Sequence, residues 1–529
     1  MLVLLLAGCK ELELAPEDRY TDLTYWSSPE KAQSVLNTAY SQMFSANLFF
    51  FNEALSDNAV NGRGDVAGAA SISAGSYDAS LPRFDQEWDQ KYQGIKTTNL
   101  LLQNIDRIEN MNEDDRARMK AEARFIRAFL HFQLMTWFGD VPLLDRDPTI
   151  EEARTISRTP REQVLEFILD ELDAVAAVLP SNTELAAAER GKITRGAAIA
   201  LKARVLLYEG RWDDVLEETN KLINSTAYGT YGLFPSYPGL FLPENEYSQE
   251  DILSLQFVPE FRTWSEFFDM APLSAGARLN NLAPTQELVD SYRMINGQSI
   301  GEAGSGYDED NPYVDRDPRL THTVVYHNYQ WQGPNGTHTI YIEPGSDPSN
   351  DDTDEYATGS SKSPTGYYTR KYFDPTHTTG FASGLNLMLI RYADVLLMHA
   401  EALMETGQFD AAAWDATIRL LRQRAGFTDA GALDFPSLSD DQLRDEIRNE
   451  RRVELAMEGL RIFDIRRWKI AEDVLNGWAH GARFDPASPD NGYIRAQRRT
   501  FDPNKHYIWP IPRDERLLNP NLSQNSEWN

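Results

Sequence analysis

Asp115-Arg116-Ala117-Arg118-Met119-Lys120-Ala121-Glu122-Ala123-Arg124-Phe125-Ile126-Arg127-Ala128-Phe129-Leu130-His131-Phe132-Gln133-Leu134-Met135-Thr136-Trp137-Phe138, followed by Gly139-Asp140-Val141-Pro142, is the stretch that decides the fold. Met119, Ala123, Ile126, Leu130 and Leu134 recur at helical spacing on one face, and Phe125, Phe129 and Phe132 fall on an adjacent one. Two apolar stripes predict a long helix packed on more than one side. Gly139 accepts a left-handed cap without steric cost, and Pro142 forbids continuation, so the helix is expected to stop there.

Outward from this helix the same texture repeats. Thr194 to Glu209 reads as another helix, with Ala197, Ala198, Ala200 and Ala203 small enough to let a neighbour come close. Two joints, Glu209-Gly210-Arg211-Trp212-Asp213 and Thr406-Gly407-Gln408-Phe409-Asp410, each follow one amphipathic stretch and precede another. In both, Gly ends a helix, an aromatic fills the gap and Asp stands near the next N-terminus, where the helix dipole favours negative charge. This is the logic of tetratricopeptide-type helical hairpins, interrupted here by other structure. Between 226 and 385 the chain turns to Gly, Pro, Tyr, Trp and Asn, with short strand-like runs at 252–257 and 322–326, and helix is expected to resume from 386 to about 470. The expected fold is mainly α: a tetratricopeptide-like hairpin scaffold over 29–225 and 386–470 that carries a loop-rich lobe with short strands.

Composition narrows the function classes. The 529 residues include 81 acidic and 51 basic side chains, for a net charge of −30. Such a balance opposes nucleic acid, whose phosphates need Lys and Arg to replace counterions, and opposes adhesion to anionic lipid through a basic patch. The single cysteine is Cys9, behind an apolar run that ends Leu6-Ala7-Gly8. A lone thiol cannot make an internal disulfide, and small residues before it suit a signal peptidase, so residues 1–8 read as a lipoprotein signal peptide and Cys9 as its lipidation site. The absence of Lys or Arg ahead of the run is expected of a start further upstream. Leu2 to Ala7 is far short of the roughly 20 apolar residues that span a bilayer, whereas two or more acyl chains, at about 0.8 kcal/mol per buried CH₂, hold permanently. Residues 9–28, charged and proline-containing, read as an acylated tether.

At this point a resemblance covers the chain from end to end. Ala121-Glu122-Ala123-Arg124-Phe125-Ile126-Arg127-Ala128-Phe129, Gly196-Ala197-Ala198-Ile199-Ala200-Leu201-Lys202-Ala203-Arg204, Pro284-Thr285-Gln286-Glu287-Leu288-Val289, Arg316-Asp317-Pro318-Arg319, Ile390-Arg391-Tyr392-Ala393-Asp394, Glu450-Arg451-Arg452-Val453-Glu454-Leu455, Gly459-Leu460-Arg461-Ile462-Phe463-Asp464, Trp509-Pro510-Ile511-Pro512 and Asn519-Pro520-Asn521-Leu522-Ser523-Gln524-Asn525 resemble, in order, the motifs of the SusD/RagB family. The resemblance implies a non-catalytic lipoprotein, anchored in the outer membrane of a Bacteroidota-type cell and facing the exterior. It further implies capture of oligosaccharides, or in some members oligopeptides, for a SusC-like TonB-dependent transporter, with no cofactor. Its hairpins are implied to face the transporter, with residues 29–225 the N-terminal and 226–529 the C-terminal family region.

Most motif residues read as structure. Arg391, Asp394 and Glu401, like Glu450, Arg451, Glu454, Glu458 and Arg461, stand at helical spacings typical of ion pairs between packed helices. An enzyme, a lipid-anchored glycosidase or esterase, is the alternative of a different class. Its best motif, Gly297-Gln298-Ser299-Ile300-Gly301, fits the nucleophile-elbow pattern but lacks the strand before and the helix after that the chemistry needs. His322, His327 and His338 have no zinc spacing, and Asp347, Asp351, Asp352, Asp354 and Glu355 lack the alternation of a calcium loop, so no metal site is expected. Sugar rings pack C–H faces on aromatic planes and offer hydroxyls to amides, carboxylates and guanidinium groups. Two loop clusters suit that chemistry: Asp57, Asn58, Asn61, Arg63, Tyr77 and Phe84, ahead of a helix expected from Trp88, and Tyr307, Tyr329 and Trp331 in the lobe.

Overall fold

The computed structural model describes residues 25–333, 336–376 and 381–529; Cys9, the signal segment and most of the tether lie outside them. In the deciding stretch, Asn112 caps the helix by accepting from the backbone N–H groups of Asp114 and Asp115, three acidic residues occupy the first turn, and Gly139 closes it at φ 74°. Labelling helices of seven residues or more, α1 is Pro29–Gln42, α2 Pro82–Asn104, α3 Glu113–Phe138, α4 Arg161–Ala176, α5 Arg195–Tyr208 and α6 Trp212–Ile223. Both stripes of α3 are used: α1, α2 and α4 pack on it. Phe125, Ile126 and Leu130 are fully buried, each such side chain contributing about 1.5–3 kcal/mol by leaving water.

The scaffold continues after the lobe with α7 (Tyr392–Glu405), α8 (Ile418–Ala425), α9 (Asp440–Glu454) and α10 (Arg461–Arg467). Both expected joints are present. Gly210 and Gly407 take φ of 66° and 69°, Trp212 and Phe409 pack against the apolar core, and Asp410 caps the next helix by accepting from the Ala413 N–H at 2.9 Å. Helix α6 lies on both α5 and α7, so the two halves of the scaffold meet directly. One apolar cluster includes residues from both sides of position 225, from Trp26 to Leu522, and a smaller one fills the space among α7, α8 and α9. No described helix is long and apolar enough to cross a membrane.

The strands form antiparallel pairs. β1 (Ala59–Asn61) pairs with β3 (Leu282–Pro284), β2 (Asp251–Leu255) with β8 (Leu387–Arg391), β4 (Val324–Val325) with β7 (Tyr368–Thr369), β5 (Tyr329–Gly333) with β6 (Gly336–Ile340), and β9 (Gly477–His480) with β10 (Arg495–Arg499). The lobe therefore leaves the scaffold at β2 and returns at β8, beside its own start. Two sequence expectations change here. Residues 387–391 are strand, not the start of the resumed helix, because a run buried on both faces carries no period that separates strand from helix. In the run 322–326, His322 and Thr323 end a short helix opened by Asp317-Pro318, and only Val324 and Val325 pair as strand.

The charged motifs are interior fasteners. Arg391 donates to Glu250 at 2.8 Å, Glu454 at 2.6 Å and Glu458 at 2.8 Å. Arg319 joins Asp317, Glu450 and Glu454, and Arg451 joins Asp394 and Asp464. All these side chains are at most 3% exposed. Desolvation offsets most of the attraction in such pairs, but removing one member strands a buried charge. The C-terminal Asn-rich motif is a clip of the same kind made from amides: Asn525 donates to the carbonyls of Phe138 at 3.0 Å and Trp509 at 2.8 Å, while Trp509 stacks on Trp137 with centroids 3.8 Å apart.

Candidate functional site

The first candidate cluster is largely consumed by the fold. Asp57 accepts from Arg461 at 2.8 Å and pairs with Arg452 at 3.1 Å, and these guanidinium groups hold its carboxyl well below the usual range despite burial. Asn58 is fully buried between Glu53 and Arg452; burial pushes the Glu53 carboxyl up to about 7. Asn61, 7% exposed, donates to the Asn281 carbonyl and accepts from the Val66 N–H, which fixes the turn that presents exposed Arg63. The helix expected from Trp88 begins at Pro82, so Phe84 joins its buried face and meets Trp509 at 4.9 Å. Tyr77 leans on His506 and Trp528, centroids 4.9 and 5.3 Å away.

The lobe cluster divides. Along β5 the burial alternates, with Tyr329 and Trp331 inward and Gln330 and Gln332 outward, and Trp331 is 1% exposed against Phe373. Alternation along a strand is the signal that separates these aromatics from spare loop residues. Asn58, Asn61, Phe84, Tyr329 and Trp331 thus stand inside the protein, while Arg63 and Tyr307 keep open surface and Tyr77 is half-buried.

Around Tyr307 the chain brings together residues that the sequence reading did not group. Arg316 donates to the carbonyls of Val289 at 2.7 Å, Tyr292 at 2.8 Å and Pro312 at 2.6 Å, satisfying the end of the short helix Gln286–Ser291. Its guanidinium carries the Tyr307 ring 5.5 Å away. The Tyr307 phenol is pushed up to about 12 by burial and by the nearby Tyr493 phenol; burial and the charges of Asp290 and Glu309 raise Tyr493 as well. Tyr493 follows an Asn491-Gly492 turn with φ of 60° and 86° in the β9–β10 connection. That dipeptide is a sequence signal that could have found it. Arg483 of the same connection pairs with Glu309 at 3.0 Å.

A latch sets this connection against the short helix. His480 contacts Glu287 at 2.8 Å through Nδ1 and Asp490 at 2.9 Å through Nε2, and Arg495 holds Asp490 through two hydrogen bonds. Hydrogen bonding to Glu287, against partial burial, raises His480 to about 8. The result is a half-open face with two phenol rings, carboxylates and guanidinium groups, the donor set that sugar hydroxyls and C–H faces require.

Hydrolytic arrangements have different geometry. Ser299 lies in a turn, its backbone N–H donating to Glu302 at 2.6 Å, with no strand entering and no helix leaving. Ser274 does touch both a histidine and a carboxylate, but its hydroxyl donates to Asp354 itself, with His338 Nε2 at 3.3 Å on the other side. A triad needs the imidazole between the two. Two acids of the 345–355 loop hold its backbone: Glu355 accepts from the N–H groups of Gly345 and Asp347, both at 2.8 Å, and Asp347 accepts from the Ser349 N–H at 2.8 Å. Among the described residues no group of three His, Cys, Asp or Glu could hold a metal ion.

Residues 263–528 match the profile of the SusD family, half of the chain. The protein belongs to the SusD family. Residues 12–207 match a further SusD-like profile described as starch-binding and associating with the outer membrane. Over 99% of this chain and 98% of the relative, the SusD-like protein P2 of Formosa agariphila is 27% identical. A SusD-like carbohydrate-binding protein of Bacteroides fragilis is similar in structure, with a TM-score of 0.83 and 29% identity over 94% of this chain and all of that one. A second SusD-like protein of Bacteroides fragilis aligns with a TM-score of 0.80 and 27% identity over 97% of this chain and all of its own. The SusD fold accounts for the mainly helical scaffold, and the family is one of carbohydrate-binding proteins that associate with the outer membrane.

Proposed function

We propose that this chain is a surface-exposed lipoprotein that binds oligosaccharides on the Tyr307–Tyr493 face, without turning them over, and delivers them to a SusC-like TonB-dependent transporter. The observation that carries the reading is the pairing of two half-open tyrosines with Asp290, Glu309 and Arg483 on loops that a histidine latch and an arginine clip hold in place. Stacking on phenol faces tolerates many sugars, while fixed carboxylates and guanidinium groups select among hydroxyl patterns. Acylation at Cys9 supplies the anchor, and the tether behind it lets the body stay over the barrel as it moves.

Isothermal titration against a broad panel of soluble oligosaccharides, α- and β-glucans among them, tests the proposal. Binding to at least one, lost together in Tyr307→Ala and Tyr493→Ala, is the expected outcome; binding to none, or binding indifferent to both substitutions, overturns it. Copurification with a large β-barrel under gentle detergent is expected for the transporter, and a lipoprotein recovered alone counts against it. Oligopeptide capture by the same architecture predicts instead that a peptide library competes at this face. A glycosidase or esterase predicts turnover of polymeric glycans or chromogenic esters, abolished by Ser299→Ala or a single carboxylate change.

A further inference from the structure

An open groove of about 480 Å³ lies between α2, the segment after α3 and the C-terminal helix Arg513–Leu518, and it shares no residue with the Tyr307–Tyr493 face. Trp88, Tyr92 and Leu144 line it, with Ile150 and Leu518 at its rim. Ile150 is 68% exposed, Leu518 71% and its neighbour Leu517 76%, the three most exposed large aliphatic side chains among the described residues. Single exposed aliphatics are ordinary, but Ile150 and Leu518 at the rim of one concavity mark a surface that is covered in use.

The groove is also charged unevenly. Asp89 and Glu515 line one part, with Asp85 and Asp514 close by: burial, then the charges of Asp89 and Asp85, raise the Glu515 carboxyl, and burial followed by Asp514 and Asp89 raises Asp85. Lys96, two helical turns beyond Asp89, and Arg154 also line the groove. Arg513 lies 3.6 Å from Asp514 and partly offsets Asp85, but Glu515 and Asp85 are still raised by burial and by neighbouring carboxylates, which favours a further cation beside them and Asp89.

We propose that this groove docks a segment of a partner protein that carries Lys or Arg beside large apolar side chains, the apolar groups covering Ile150, Leu518 and the half-buried Leu144 and the cation lying among Asp89, Asp85 and Glu515. Charge complementarity selects this occupant. Residues 1–24 of the chain carry five acidic and two basic side chains and would be repelled. A second copy placed by two-fold symmetry would bring the same carboxylates together. An anionic bilayer surface meets the same repulsion.

The test uses the full chain and three synthetic 12-residue peptides with the same Leu and Trp content and with Lys, Ser or Glu at the interleaved positions, read by fluorescence anisotropy. The Lys peptide is expected to bind at least tenfold more tightly than the Ser peptide and the Glu peptide not at all. Leu518→Ser and the pair Asp89→Asn with Glu515→Gln should each weaken it at least fivefold, the carboxylate pair alone flattening the salt dependence, while glucan binding at the other face stays unchanged as a check on folding. Equal binding of the Lys and Glu peptides, no binding to any, or insensitivity to the substitutions overturns the proposal. So does sedimentation as a dimer that Leu518→Ser dissociates, which assigns the groove to a second copy, or a zero-length cross-link between Lys10 and Asp89, which assigns it to the chain's own N-terminal residues. Loss of glucan binding in the groove variants would make it a sugar site instead and overturns the proposal equally.

Discussion

The ion network at α7, α9 and α10 and the Tyr307–Tyr493 face both rest on arginines and carboxylates, yet they do opposite work. In the network Arg391 and Glu454 are 1% and 0% exposed and every charge is answered from within the chain. On the open face Tyr307 and Tyr493 are half-buried and Arg483 and Glu309 are largely in solvent. Burial converts a charged motif into a fastener; partial exposure leaves it able to answer a ligand. Arg316 stands between the two, buried against three carbonyls while its outer face supports Tyr307.

The largest expected effect breaks the network alone. Arg391→Met removes the cation shared by Glu250, Glu454 and Glu458 and leaves these buried carboxylates to Arg424, Arg319 and Lys371 alone, a loss of about 3 kcal/mol that denaturant unfolding would register as a lowered midpoint or failure to fold. Arg316→Gln is expected to move both regions: about 1–3 kcal/mol of stability lost through unsatisfied carbonyls, with glucan binding weakened in the same variant. Tyr493→Ala separates them, with an unchanged unfolding midpoint and roughly tenfold weaker glucan binding by titration calorimetry, about 1.4 kcal/mol; a shifted midpoint would place Tyr493 in the core instead.

The smallest effect concerns the latch. His480 is raised to about 8 in the folded chain, above its value near 6.5 when unfolded. Its contribution is therefore full below about 6.5 and is lost as pH rises through about 8. Trp478 on the same hairpin should report this as a fluorescence change centred near pH 8 that disappears in His480→Gln. A change that persists in that variant would detach the latch from the histidine.

How much was legible in the sequence follows the same division. The stripes of α3, the Gly-aromatic-Asp joints and the fastening role of Arg391, Glu450 and Glu454 are local signals with helical periods, and they were readable. Residues 387–391 were not, because a strand buried on both faces has no period. Trp331 and Tyr329 read as lobe loop residues, yet β5 alternates and turns both inward, and Phe84 reads as preceding a helix expected from Trp88, yet that helix begins at Pro82 and buries it. Asp57 is held by Arg461, 404 residues away, a pairing that no spacing rule reaches.

The sequence by itself determined a mainly helical, acidic chain with a single cysteine and a family pattern running through it, because composition, period and short motifs are written along the chain. Only the tertiary structure decided which of the aromatic and amide residues face solvent, that Tyr493 comes near Tyr307, and that Ile150 and Leu518 gather with Trp88 around one groove. Those facts depend largely on packing between elements well separated along the chain, which composition and short motifs do not specify.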